Sequence, residues 1–298
     1  MQATRSTRSL SGRLAGVLGL ATLAALGLAA PAAHAQTAYV DSFGSSVNTF
    51  GTLDLQTGSF TSIGTLSTQL YALGFGANGM LYGLAPASNS GTGLYQVATD
   101  TGAETLVQNF TDFNVFGGSM NADGTFTAIA APDSNNHSNL FTVNPVAETA
   151  TAGTMTFANA DGLAVSDGSG NVYVSDINTP GNGTDGLDVV NTAAKHPGTA
   201  FLGDTGIASV FTGLFSGGQL YTFGYDPNST GQPEGIYTLN TDTGASTFVA
   251  ATSNDQSILA AALAPAAVPE ASTTVSFGLL LALGAFTIVK RRKASPVA

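Results

Sequence analysis

The chain has 298 residues, with 19 Asp or Glu, 8 Lys or Arg, three His and no Cys. Without Cys, disulfides, thiolate nucleophiles and Cys-ligated zinc are excluded. Seven basic residues lie at the two ends, so residues 36–265 carry Lys195 alone against 18 acidic residues, a net charge near −17; such a body cannot neutralise the phosphates of a nucleic acid.

Residues 1–35 open with Arg5, Arg8 and Arg13, continue through an apolar stretch from Leu14 to Ala30, and end in Ala33-His34-Ala35. A basic segment, an apolar core and small residues at positions −3 and −1 define a secretory signal peptide, cleaved by signal peptidase after Ala35. An uncleaved membrane anchor is the alternative. An exported chain without Cys must be held together by its core alone.

The body, residues 36–265, is one repeated unit. An aromatic column runs through Tyr39, Tyr82, Phe126, Tyr173 and Tyr221, at spacings of 43, 44, 47 and 48 residues. A second column runs through Leu53, Val97, Val143, Val190 and Leu239. In three units this column leads into a shared turn: Gln56-Thr57-Gly58, Asp100-Thr101-Gly102 and Asp242-Thr243-Gly244. In the other two the turn degrades, to Asn144-Pro145 and Thr192-Ala193. Each unit holds four short apolar segments separated by Gly, Asn, Asp, Ser and Pro. Several alternate with period two, as in Val172-Tyr173-Val174-Ser175, which marks half-buried strands. Four strands per 40 to 50 residues is a β-propeller blade.

In chain order, first strands are expected near Leu73, Phe116, Leu163, Leu214 and Ala261. The aromatic column supplies the second strands, the Leu53 column the third. Fourth strands fall near Thr61, Thr105, Thr151, Phe201 and Thr247. The body starts at a second strand, 37–41, and ends at a first strand, 257–263. The expected fold is therefore all-β: five four-stranded blades, closed by pairing the N-terminal strands with the C-terminal one. A β-sandwich or two small β-domains is the alternative. The stretch from Asp161 to Asp176 resembles an NHL-type propeller blade over about 16 residues, which concerns fold and transfers no activity.

Residues 266–298 begin with Val268-Pro269-Glu270-Ala271-Ser272, continue through an expected transmembrane helix at 273–289, and end in Lys290, Arg291, Arg292, Lys293 and a short tail. The apolar run is at the short end for a bilayer span, and the basic cluster would stop it with its tail in the cytoplasm. This arrangement resembles the PEP-CTERM sorting signal of bacterial exopolysaccharide producers. Pro269 and Glu270 match that motif, while Ala271 stands where its second proline would be. The resemblance implies recognition by an exosortase, a membrane-embedded cysteine transpeptidase, removal of the helix, and delivery of the body to the cell surface or medium. A plain C-terminal membrane anchor is the alternative.

The body offers little conventional chemistry. It has no G-x-S-x-G nucleophile turn. His137, in a polar run, and His196, before Pro197, read as surface-loop residues. Neither fits a metal-ligand spacing. Carboxylates are plentiful, and Asp161, Asp176, Asp185, Asp188 and Asp204 form the densest set; most suit turns, although glycoside hydrolysis needs only two at a defined separation. Asp167, Asn171 and Asp176 are the candidate calcium ligands, supplying the hard oxygens that Ca²⁺ prefers, but the spacing is not an EF-hand and a hairpin turn is the first explanation of the stretch. No cofactor is otherwise implied. Two function classes stand. The first is an exported non-catalytic envelope or matrix protein whose loops bind polysaccharide or protein. The second is a secreted glycosidase-like enzyme using channel carboxylates. The absence of Trp, a common sugar-stacking platform, argues against both a lectin and a glycosidase subsite.

Overall fold

A computed structural model describes residues 36–265 except 44–46, 88–90, 132–136, 159, 177–182, 193–197, 226–233 and 254–256. Both terminal signals, His196 and Lys195 lie outside the described residues. Twenty strands form five antiparallel four-stranded sheets. Blade 1 contains β1 (Thr37–Phe43), β2 (Asn48–Asp54) and β3 (Phe60–Thr65), together with β20 (Ser257–Leu263), in the order β20-β1-β2-β3. Blade 2 is β4 (Ala72–Phe75), β5 (Leu81–Ala87), β6 (Gly91–Val97) and β7 (Glu104–Phe110). Blade 3 is β8 (Val115–Met120), β9 (Phe126–Ala130), β10 (His137–Asn144) and β11 (Thr149–Ala158). Blade 4 is β12 (Ala160–Ser166), β13 (Asn171–Asp176), β14 (Gly186–Asn191) and β15 (Gly198–Asp204). Blade 5 is β16 (Ser209–Ser216), β17 (Gln219–Tyr225), β18 (Gly235–Leu239) and β19 (Ser246–Ala251).

The chain is thus a five-bladed β-propeller, closed in blade 1 where Ala38 pairs with Leu263 and Val40 with Ala261. Closure leaves no open end to the ring of sheets. The inner strands β4, β8, β12, β16 and β20 touch in turn around the axis. Outer strands such as β7 and β15 are largely exposed. The apolar core is divided into clusters between neighbouring blades, with residues of blades 1 and 2, 2 and 3, 3 and 4, 4 and 5, and 5 and 1 in each.

Five inner strands leave little room at the axis. A Cβ on Gly117 of β8 would lie 1.7 Å from the carbonyl oxygen of Gly162 on β12, and a Cβ on Gly162 would lie 2.3 Å from that of Phe211 on β16. Backbone meets backbone at both points, so no side-chain rotation relieves the clash. Gly117→Ala is expected to destabilise the protein by about 3 kcal/mol or more, measured as a shift in urea midpoint. A shift below 1 kcal/mol, on the order of an ordinary surface change, would contradict this packing.

The shared turn is more widespread than its sequence. Gly58, Gly102 and Gly244 take left-handed φ of 70°, 75° and 76°, and each donates its N–H to the carbonyl four residues earlier, at 2.8 to 2.9 Å. In blade 3 the same position is Glu148, the one described non-glycine with positive φ (56°). Asn144 Oδ1 accepts the N–H groups of Val146 and Ala147 at 3.0 and 2.9 Å, as Asn240 does for Asp242 and Thr243. In blade 4 Thr192 donates N–H and Oγ1–H to the Gly170 carbonyl; residues 193–197, which follow it, lie outside the described residues.

Candidate functional site

Several carboxylates described in the structure cap backbone. Asp41 accepts the Leu70 N–H at 2.7 Å and Asp185 accepts that of Val210 at 2.7 Å. In both cases an acid of one blade fixes the chain leading into, or opening, the inner strand of the next; Thr92 does the same for Val115 at 2.9 Å. Glu104 Oε2 accepts the N–H groups of Ser67 and Thr68. Asp204 accepts from Thr184 and from the Gly206 N–H. Burial pushes the Asp41 carboxyl up to about 7, against the Leu70 N–H, and nearby Glu104 adds to the rise. Asp41 is fully buried, which places it out of reach of a substrate.

Of the candidate calcium ligands, Asp167 and Asn171 are brought together and Asp176 is not. Asp167 sits in the β12–β13 turn and Asp176 at the far end of β13, about 16 Å away for a strand rising roughly 3.3 Å per residue. Asp167 is also occupied. Its Oδ1 accepts the N–H groups of Ser169 and Asn171, and its Oδ2 accepts the Ser169 hydroxyl and Asn171 amide. Slight burial raises its carboxyl, but these hydrogen bonds outweigh that and hold it below the usual range. Among the described residues no group of three or more His, Asp or Glu is placed to hold a metal. His137 is not in a loop; it opens β10 and is exposed.

Asp176 and Asp188 do approach each other. Asp176 pairs with Gly186 and Val174 with Asp188, so the two acids are diagonal neighbours on one face, with Cβ atoms roughly 7 to 8 Å apart or somewhat less. Burial raises the Asp188 carboxyl, and the Asp176 charge raises it further.

The propeller face bearing the β4–β5, β8–β9, β12–β13 and β16–β17 turns carries two adjoining hollows. One, of about 340 Å³, is the mouth of the central channel. It is lined by Phe75, Met120, Phe215 and Leu263 with Ser119, Asn121, Ser166 and Asp167. Asp167 is its one carboxylate among the described residues, so no channel pair of acids forms at this mouth. The second, of about 450 Å³, lies between blades 3 and 4 and shares Asn121 and Ser166 with the first. Asn121, Asp123, Thr125, Thr127, Thr142, Ser166 and Thr192 supply its polar groups, and Leu140 and Val172 its apolar side chains.

The second hollow has a cause in register. Tyr39, Tyr82, Tyr173 and Tyr221 face Thr52, Gln96, Val189 and Thr238, each one residue before the Leu53 column. In blade 3 the residue facing Thr142 is Thr127; Phe126 faces Val143 and so points to the other side of the sheet. The aromatic column is therefore Tyr39, Tyr82, Thr127, Tyr173 and Tyr221. Each tyrosine wedges against the following blade. Tyr82 packs with Phe126 and Val143, Tyr173 with Leu220 and Leu239, and Tyr221 with Ala38 and Leu53. The Tyr221 hydroxyl accepts from Gln56 in the next blade's turn at 3.3 Å, and that of Tyr173 bonds Thr241. Between blades 3 and 4 the wedge is missing, because Thr127 stands in the tyrosine's place. The core there is built of smaller residues, including Ala160, Ala164, Val172 and Val190.

No family model matches the chain, and no curated protein matches its sequence. Solved structures resemble it in fold. An exo-β-1,3-galactanase from Phanerochaete chrysosporium shares 14% identity at a TM-score of 0.49, over 68% of this chain and 56% of its own; the chain thus spans just over half its length. A puromycin hydrolase shares 14% at 0.39, over 72% of this chain and 36% of its own. The β-propeller domain of the Trilobed protease from Pyrococcus furiosus shares 10% at 0.36, over 69% and 66%.

Proposed function

We propose that the protein is an exported, non-catalytic bacterial surface or matrix protein that binds polysaccharide or another surface protein through its propeller faces. The observation that carries this reading is the use of the carboxylates. Asp41, Glu104, Asp167, Asp185 and Asp204 are occupied with backbone and turn groups, while the hollows between turns are lined by Thr, Ser, Asn and apolar side chains with one carboxylate each, Asp123 and Asp167, both bonded within their own turns. Signal peptidase would act after Ala35. An exosortase would act at Pro269-Glu270-Ala271, while Lys290, Arg291, Arg292 and Lys293 hold the intermediate in the inner membrane. Intact mass of the protein extracted from the envelope or medium tests the sorting step. The expected mass lacks residues 1–35 and the C-terminal helix; retention of Val275 to Lys293 contradicts it.

One observation favours hydrolysis instead. Asp176 and Asp188 share a face and the Asp188 carboxyl is raised, the pattern of a carboxylate pair with divided acid and base roles. Under the binding reading, the purified chain releases no reducing sugar from neutral polysaccharides. Release that disappears in Asp188→Asn would establish the enzyme.

A further inference from the structure

We infer that the hollow between blades 3 and 4 is a binding site for an uncharged sugar, one or two rings in size. This deepens the polysaccharide-binding role proposed above and rests on it. Four of five blade interfaces are filled by a tyrosine wedge; here Thr127 leaves about 450 Å³ open, within the usual range of roughly 300–1,000 Å³ for small-molecule sites.

The lining selects the ligand. Hydroxyls of Thr125, Thr127, Thr142, Ser166 and Thr192 and the Asn121 amide surround the space. Part of this set is already ordered. Asn121 Nδ2 donates to Thr125 Oγ1 at 3.0 Å, Thr127 donates to Asn121 Oδ1 at 3.0 Å, and Thr125 donates to Asp123 at 2.7 Å. The chain Thr127–Asn121–Thr125–Asp123 therefore holds its groups in place before a ligand arrives, which lowers the ordering cost of binding. Beside it, the Ser119 hydroxyl is buried and has no partner among the described residues; it lines the adjoining channel mouth. Buried polar groups are normally satisfied, so a polar occupant of this region is called for.

Charge and polarity narrow the class. Residues 36–265 contain no arginine and one lysine, Lys195, while Asp123 lines the hollow and Asp167 lines the channel mouth beside it. A phosphate or uronate would meet repulsion and, among the described residues, no counter-charge. A purely apolar ligand would leave the hydroxyls and amide unpaired, at a cost. A sugar ring offers hydroxyls at its rim and C–H groups on its faces, matching the Thr and Asn groups and the apolar side chains of Leu140 and Val172.

The test restores the wedge. Calorimetric titration of the full chain with cellobiose, maltose and lactose, and with a uronate-containing disaccharide, compares wild type, Thr127→Tyr and Thr142→Val. At least one neutral disaccharide should bind and the uronate should not. Thr127→Tyr should weaken binding at least tenfold, a change of about 1.4 kcal/mol, with a melting temperature no lower than wild type. Thr142→Val keeps the shape and should weaken binding about fivefold, the size of one hydrogen bond; this variant carries the test should the tyrosine impair folding. No binding of any neutral disaccharide, equal binding of the uronate, or unchanged affinity in the variants overturns the inference. Polysaccharide pull-down that persists in Thr127→Tyr would overturn this site and leave the broader binding role standing.

Discussion

Deleting residues 37–43 is expected to abolish cooperative unfolding of the whole propeller. This segment, β1, is the second strand of blade 1, with β20 on one side and β2 on the other. Its Ala38, Val40, Asp41 and Ser42 are fully buried. Removing it breaks both ladders, leaves β20 with no partner in its sheet, and opens the ring at the point that joins the chain's two ends. Asp41 is lost as well, and with it the cap on Leu70 leading into blade 2. The combined loss exceeds the total stability of about 5–15 kcal/mol expected of such a domain. Circular dichroism melting should show no sharp transition. A transition within about 4 °C of the intact chain, equivalent to roughly 1 kcal/mol for a domain of this size, would contradict closure through β1 and β20.

Stability should fall as pH rises from about 4 to 8, the reverse of ordinary acid denaturation. The folded pKa of Asp41, about 7, lies above its ordinary 3.8. A raised folded pKa means the native state binds the proton more tightly than the unfolded chain. The resulting stabilisation is full below the ordinary value and is lost as pH rises through about 7. A difference of about three pKa units corresponds to about 4 kcal/mol. Burial also raises Asp188, which contributes in the same direction. Asp54 and Asp167 are lowered and oppose the trend, but both are partly exposed residues at the start of turns, whose contribution solvent screens. Urea midpoints at pH 4.5, 6 and 8 test the slope. Asp41→Asn should flatten it by removing the titration while keeping the side chain's size. A wild-type profile that rises toward pH 8, or an equal slope in Asp41→Asn, would contradict the burial of this acid.

The blade count was legible because closure and turns leave local marks. Positive-φ glycines recur in the shared turn, and the Leu53 column keeps its register throughout. All five first strands and all five fourth strands lie where the spacing puts them, and strand β20 has the expected bounds. Blade 3 was harder. By residue type Phe126 belongs to the aromatic column, but by register Thr127 does, and a one-residue shift in a strand turns a side chain to the opposite face. Matching by type hid the gap that defines the cleft between blades 3 and 4. Two signals for it were present, a Thr two residues before Ile129 and the degraded turn at Thr192, but their meaning depends on which blade face they share. The capping roles of Asp41, Asp185 and Glu104 had no local signature, since their partners lie 25 to 37 residues away. The calcium candidates separate for the converse reason. Asp167 and Asp176 are close in sequence, and the strand between them carries them apart.

The most direct measurement is a glycan array probed with the purified wild-type chain and Thr127→Tyr in parallel. Wild type should retain neutral glycans without hydrolysing them, and the variant should lose that signal while keeping its fold. Equal retention by both proteins, or cleavage of the arrayed glycans by either, would contradict a binding propeller whose ligand occupies the place of a missing tyrosine.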